Sequence, residues 1–256
     1  MAPSVKSFPG IMGWLVVLVG LPVAGWSAQL DVAPQRVEIG AFFGGKEVIV
    51  TAQIPPLGDA VVELVGEHVA ETLVRKGRRG PLWMNVGEVV AQGAPTLYMA
   101  ASTGSFLLAG DHGSGLWGYG RLRKQIRFAG SVGEEESDSM VQEFVKLKEA
   151  QGLYRVLPAG VELVSENEIA QSLRVRFSLP RCVRPGTYTA SVSVIRNGEV
   201  LQQQRASIDV QMTGFPRFLR SLAYEHPMVY GIVAVVVAML AGHGLGWLFG
   251  RGRGSH

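Results

Sequence analysis

The stretch from Pro227 to Phe249 limits what this chain can become more than any other part of it. It contains no Asp, Glu, Lys or Arg, and at ~1.5 Å per residue it is long enough to cross a bilayer as a helix. Ala234, Ala238, Gly242, Gly246 and Gly250 recur at every fourth position. Four residues advance a helix by about 400°, so the small residues drift only ~40° per step and stay on one side. Lipid gives helices little hydrophobic reason to associate, and small residues permit the close backbone approach that replaces it. The spacing therefore predicts a membrane span over 227–249 with a helix-packing face made of these five residues. His243 is the one side chain within the span that can carry positive charge. An intramembrane ionisable residue is costly and faces protein or water, so His243 is expected against a partner helix.

The N-terminus carries a second apolar segment of another kind. Lys6 precedes an apolar run from Ile11 to Val23, and Ala24, Gly25, Ser27 and Ala28 follow it. The run is short for a span and has the layout of a secretory signal, with Trp26 an imperfection at the cleavage region. The alternative is an uncleaved anchor, which would give two spans. The expected organisation is a signal peptide at 1–28 and an exported domain at 29–213. A juxtamembrane segment follows at 214–226, then the span at 227–249 and a cytoplasmic tail at 250–256. Arg251 and Arg253 then lie inside, as the positive-inside rule wants, although Arg217 and Arg220 lie on the other side. Phe215, Phe218, Leu219, Leu222 and Tyr224 suit the interface, with Arg217 and Arg220 on lipid phosphates.

Residues 29–213 suffice for one large or two small domains. Short runs rich in Val, Ile, Leu, Thr and Tyr at Arg36–Ile39, Glu47–Ile54, Ala60–Val65, Glu71–Arg75 and Leu97–Ala101 are separated by turn signals, among them the basic run at 75–80. That is the pattern of a β-sandwich. From about 103 to 152 the pattern breaks. A Gly-rich stretch turns basic, then acidic at Glu134–Glu136, and ends in a helix centred on Ser139–Gln151. Ser139 and Gln142 suggest a capping box with the acids ahead of it. Val141, Phe144, Val145 and Leu147 or the Lys148 stem form the apolar face, and Gly152 forms the C-cap. Strands return at Gln171–Leu179, where Leu173, Val175 and Phe177 alternate with Arg174 and Arg176. A hairpin follows, Thr187–Ile195 and Glu199–Val210 about Asn197-Gly198. Tyr188, after Pro185-Gly186-Thr187, stands where a late strand of an immunoglobulin-like sandwich places a tyrosine that bonds back to the backbone. The fold class expected is mainly β: an immunoglobulin-like β-sandwich with a helical insertion, plus one C-terminal transmembrane helix. Two small β-domains joined by the helix are the alternative.

The chain resembles the Alph_Pro_TM family, single-span proteins first grouped from alphaproteobacteria. The resemblance rests on Pro81-Leu82-Trp83-Met84-Asn85, Pro95-Thr96-Leu97-Tyr98 and Glu143-Phe144 through Leu147-Lys148 to Gly152-Leu153-Tyr154. It continues through Leu179-Pro180 to Pro185-Gly186-Thr187-Tyr188, Gly214-Phe215-Pro216-Arg217-Phe218-Leu219 and Pro227-Met228-Val229-Tyr230-Gly231. It implies a signal peptide, a periplasmic domain, one span in a bacterial inner membrane and a cytoplasmic C-terminus. A transporter of the sulfite-exporter type is the partner it suggests. It carries no activity and no functional residues.

Reactive constellations are weak. Gly113, Gly115 and Gly118 match GxGxxG, but without a strand before and a helix after in a βαβ unit. Asp111, His112 and Ser114 are triad residue types, yet neighbours on one loop do not converge as a relay requires. His68, His112, His226 and His243 lack metal-ligand spacing. The lone Cys182 excludes an internal disulfide framework, and a net charge of +3 with a pI near 9.1 is too mild to indicate nucleic acid. No cofactor or metal is expected. Two basic groups remain, Arg75, Lys76, Arg78 and Arg79, and Arg121, Arg123, Lys124 and Arg127. They are solvated surfaces or contacts for an oxyanion, an acidic partner or lipid headgroups. The function expected is a non-enzymatic, membrane-anchored periplasmic accessory protein, a partner subunit of a membrane transporter or self-associating. The alternative is an anchored binding module for an anionic ligand or lipid headgroup.

Overall fold

The computed structural model describes residues 30–250 except 56–57, 106–107, 109–115, 130–133, 167–170 and 197–198. The signal-like segment, Asp111, His112, Ser114, Asn197-Gly198 and the Arg251–Arg253 tail lie outside the described residues.

Alternation of apolar and polar residues builds two facing sheets. One is antiparallel and joins β1 (Leu30–Ala33), β3 (Lys46–Ile54), β11 (Gln171–Leu179) and β10 (Glu162–Glu166) in that order. The other runs β2 (Arg36–Ile39), β13 (Glu199–Met212), β12 (Gly186–Arg196), β4 (Asp59–Val65), β7 (Tyr98–Ser102) and β9 (Tyr154–Leu157), with β2–β13 and β7–β9 parallel. Val48, Val50 and Ala52 lie in register with Phe177, Val175 and Leu173 on the first sheet, and Ile54 continues the same face. They face Ala60, Val62 and Leu64 of β4, Ala190, Val192 and Val194 of β12, and Ile208 and Val210 of β13 on the second. All are buried. At roughly 1.5–3 kcal/mol per fully buried aliphatic side chain, this layer is the main source of stability. Arg174 and Arg176 alternate outward, as the sequence pattern requires.

The strand orders β1-β3-β11-β10 and β13-β12-β4-β7 follow the ABED and GFC-C′ layout of an immunoglobulin sandwich, and β9 takes the place of C″ but runs parallel to β7. The fold class expected from the sequence is the one observed. The tyrosine corner is present too: the Tyr188 hydroxyl donates to the Arg184 carbonyl at 2.6 Å from a buried ring. The interior disulfide of antibody domains has no counterpart, since Cys182 is exposed in the β11–β12 loop.

The insertion begins earlier than the composition suggests. The basic run at 75–80 is not a separator between strands. It ends β5 (His68–Arg79), which pairs along its length with β6 (Leu82–Pro95) and turns at Gly80-Pro81. Much of this ribbon lies outside the core: along β5 exposed residues alternate with half-buried ones, but the half-buried face mixes Val69 and Leu73 with Glu71 and Gly77, so the residue types do not show the period, and bulges at Val69/Glu71 and Arg75/Lys76 hide it further. A short β8 (Arg127–Ala129) adds to the ribbon's base. At Gly93, φ is +74°, and a Cβ would lie 2.8 Å from the Gln125 carbonyl, so only glycine lets α1 (Gly118–Gln125) pack there.

Helix α2 (Glu134–Ala150) also starts earlier than expected. Glu134–Glu136 belong to its first turn. Ser139 is therefore inside the helix and the capping box with Gln142 does not form. The C-terminus follows the sequence reading. Gly152, with φ +72°, donates to the Glu149 carbonyl at 2.8 Å, and Leu153 donates to the Lys148 carbonyl at 2.9 Å, a Schellman motif. Val141, Phe144, Val145 and the Lys148 stem form the buried face, whereas Leu147 is exposed.

Tyr188→Phe removes the corner hydrogen bond without opening a cavity. It is expected to lower unfolding stability by about 1 kcal/mol in chemical denaturation, with the β circular dichroism unchanged.

Candidate functional site

From Ala60 to Val65, β4 is apolar on both faces except for one residue. The outer face of the six-stranded sheet is covered over β4, β7 and β9 by α1 and α2 and left open over β12 and β13. At that boundary sits Glu63, 1% exposed. A carboxylate so placed must be paired, because desolvating it alone would cost several kcal/mol. One oxygen accepts the Tyr98 hydroxyl at 2.6 Å, and the other accepts Arg121 from α1 at 2.8 Å. The Tyr98 hydroxyl in turn accepts the Gly118 amide at 2.8 Å. One buried acid thus connects β4, β7 and the start of α1. Burial, with the Glu63 charge beside it, raises the Tyr98 pKa far above the ordinary phenol range, so the hydroxyl remains a donor.

Aromatic edges extend the connection. Tyr98 meets Tyr154 at 6.3 Å, Tyr154 meets Phe144 of α2 at 6.1 Å, and Phe144 meets Phe128 of β8 at 6.1 Å, all T-shaped. The Tyr154 hydroxyl donates to the Pro95 carbonyl at 2.8 Å, and its pKa is raised by burial and by Glu71. Lys148, 4% exposed, pairs with Glu71 of β5 at 2.6 Å and places its ammonium over the Phe144 ring. Tyr119 of α1 is hydrogen-bonded to Glu149 of α2.

Beside this network opens a polar cleft of ≈ 480 Å³, floored by Glu63 and Arg121 and walled by His68, Thr189, Ser191 and Arg205. Burial first and the Arg121 charge second hold the His68 pKa below its ordinary value, so the imidazole is neutral at neutral pH. Arg205 bonds Gln203 at 2.9 Å. Among the described residues, no group of three or more His, Cys, Asp or Glu is placed to hold a metal.

The two basic groups are not one surface. Lys76 and Arg78 are exposed near the ribbon tip, where Arg78 donates to the Gly80 carbonyl at 3.1 Å. Arg75 and Arg79 occupy the same end of β5. Arg121 is committed to Glu63, Arg123 and Lys124 lie in the last turn of α1, and Arg127 reaches the Ile126 carbonyl at the ribbon base. Of the GxGxxG match, Gly118 opens α1 with φ +69° and serves the Tyr98 network, while Gly113 and Gly115 lie outside the described residues. Glu63 itself was missed. Its signal was a single acid inside the otherwise apolar run Ala60–Val65, which marks a strand buried on both faces.

The C-terminal helices place the remaining residues. α3 (Gly214–Glu225) is amphipathic, with Phe215, Phe218 and Leu219 exposed. α4 (Pro227–Gly250) holds Ala234, Ala238, Gly242, Gly246, Gly250 and His243, and its span from Pro227 to Trp247 is exposed throughout. A Cβ at Gly242 or Gly246 would meet nothing within 4 Å, so neither position packs against the chain's own sandwich.

The sequence model of one family, described as "Putative transmembrane protein (Alph_Pro_TM)", matches residues 27–251. No curated protein matches the chain. Among solved structures it is similar to VCBP3, domain 1, from Branchiostoma floridae, at 14% identity and a TM-score of 0.25 over 73% of this chain and 97% of that one.

Tyr98→Phe removes a donor to a buried carboxylate and is expected to cost about 2 kcal/mol of unfolding stability. Arg121→Gln is expected to cost less, because the Arg121 side chain is 43% exposed and its charge is screened. Denaturation of the two single variants and their double variant, which should lose less than the sum, checks the network.

Proposed function

We propose, for a chain that belongs to the Alph_Pro_TM family of transmembrane proteins, a non-enzymatic role as an accessory subunit at the membrane surface. The span packs on another transmembrane protein, a transporter in the first instance, or on a second copy. The sandwich covers the partner's outer face. In this reading the domain is periplasmic and the C-terminus cytoplasmic, in a bacterial inner membrane, with an exporter of the sulfite type as the partner class.

The observation that carries the reading is the absence of a tether. The Thr213 amide still donates to Ile39 of β2 at 3.0 Å, and α3 begins at the next residue. Only His226 separates α3 from α4. The His226 amide donates back to Leu222 at 3.3 Å, and its carbonyl accepts Tyr230 at 3.0 Å, so hydrogen bonding runs across the junction. Pro227, which lacks an N–H, opens α4 at the position that tolerates it. A sandwich seated this way moves with whatever its span packs against. The pairing of Glu63 with Tyr98 and Arg121, and of Lys148 with Glu71, supports binding over catalysis, because these groups are committed to holding the fold.

Gly242→Ile with Gly246→Ile adds bulk without polarity, so membrane insertion should survive. Co-purification of the partner, or of a second copy, in mild detergent should drop sharply. Stable insertion with unchanged association would show that this face meets lipid and would remove the accessory role.

A further inference from the structure

We infer that the cleft between α3 and the membrane-facing end of the sandwich is a binding site for the phosphate of an anionic phospholipid headgroup. The inference rests on α4 as a membrane span and goes beyond the accessory role.

The cleft measures ≈ 350 Å³ and is lined by Pro185 of the β11–β12 loop, by Val210, Gln211 and Met212 at the end of β13, and by Arg217 and Arg220 of α3. That volume admits a phosphate group. On a helix of 3.6 residues per turn, Phe215, Phe218, Leu219 and Leu222 fall on one side, and Arg217 and Arg220 fall on the other. The second side borders the cleft. An interfacial helix buries its apolar face ~5–10 Å into the boundary between headgroups and acyl chains. Its polar face then stands at the level of the lipid phosphates, with the sandwich end above it as the second wall.

The charges fit the same occupant. Both guanidiniums are exposed. Arg220 approaches the Met212 sulfur at 3.9 Å and the Tyr224 ring at 6.0 Å, and neither neighbour neutralises it. Arg217 has no ion pair among the described residues. Glu225 accepts Ser221 at 2.6 Å and Asp209 accepts Gln211, and neither acid forms an ion pair with Arg217 or Arg220 among the described residues. Arg181, which is exposed, adds positive charge on the loop that carries Pro185, whereas Arg184 on the same loop is paired with Glu71 at 3.7 Å. Two guanidiniums on one helix face suit phosphate oxygens through paired N–H donors. The site is continuous with the anchor, so the headgroup it takes belongs to the bilayer in which α4 stands.

The test uses the full chain in a nonionic detergent, titrated with short-chain phosphatidylglycerol, the matching phosphatidylcholine and inorganic phosphate. Native mass spectrometry counts bound lipid. Phosphatidylglycerol should bind, with phosphatidylcholine weaker by roughly tenfold or more, and phosphate at lipid concentrations should not displace it. Arg217→Gln with Arg220→Gln should weaken phosphatidylglycerol binding by about tenfold or more. Arg174→Gln with Arg176→Gln removes the same charge from the other sheet and should leave binding unchanged. Both pairs are solvent-accessible, so thermal unfolding should match the parent. Equal loss in the two double variants, equal binding of phosphatidylcholine, or displacement by phosphate would each overturn the site. Alkaline carbonate extraction separates the two readings. Release of the chain from membranes would refute the span, whereas retention without phosphatidylglycerol preference refutes the headgroup site alone.

Discussion

The direct run from the last sheet strand into two helices is the constraint on which the rest of this structure depends. A domain on a flexible linker samples a volume that grows with linker length, and its surfaces need no fixed relation to the bilayer. Here Thr213 is still bonded into the sheet when α3 begins, and His226 bonds forward and backward between the helices. In the proposed seating, the end of the sandwich where β13 finishes is the one that faces the membrane. That end also carries the β11–β12 loop with Arg181, Cys182 and Arg184. The base of the β5–β6 ribbon lies there too, because Glu67 accepts the Thr187 amide at 3.2 Å beside Gly186.

Glu63 plays the corresponding part inside the domain. The long insertions between β4 and β7 and between β7 and β9 add a ribbon and two helices to a sandwich complete without them. They stay in place because one buried carboxylate holds Tyr98 and Arg121, because Lys148 holds Glu71, and because an aromatic chain from Tyr98 to Phe128 fills the space between. Such a network is useful only when fully satisfied, and no described buried side-chain polar atom here lacks a partner. The insertion is thus a rigid second layer on one half of the six-stranded sheet, and it leaves the polar half open.

Sandwich strands such as β3 and β11 were legible because each buries one face. Leu173, Val175 and Phe177 declare their side of β11 against Arg174 and Arg176, and Tyr188 announces the corner. Gly152 was legible because a helix that stops needs a left-handed residue. The ribbon was not: 82–95 has no single buried face, and the Arg-rich run beside it reads as a turn when its pairing partner is unseen. The N-terminus of α2 was misplaced because acids stabilise a first turn as well as they precede one. Arg121 was legible as positive charge but not as the partner of Glu63, from which 58 positions separate it.

The seating of the domain can be read from its native thiol. Cys182 is the chain's sole cysteine and is exposed on the loop beside Pro185. Labelled there with a nitroxide and reconstituted into bilayers bearing a paramagnetic headgroup, the full chain reports the height of the sandwich end. A helix lying in the interface is only ~10–12 Å across with its side chains. The label should therefore lie within about 20 Å of the headgroup plane with a narrow distance distribution. A label beyond roughly 40 Å, or one spread broadly as on a flexible stalk, would contradict this seating.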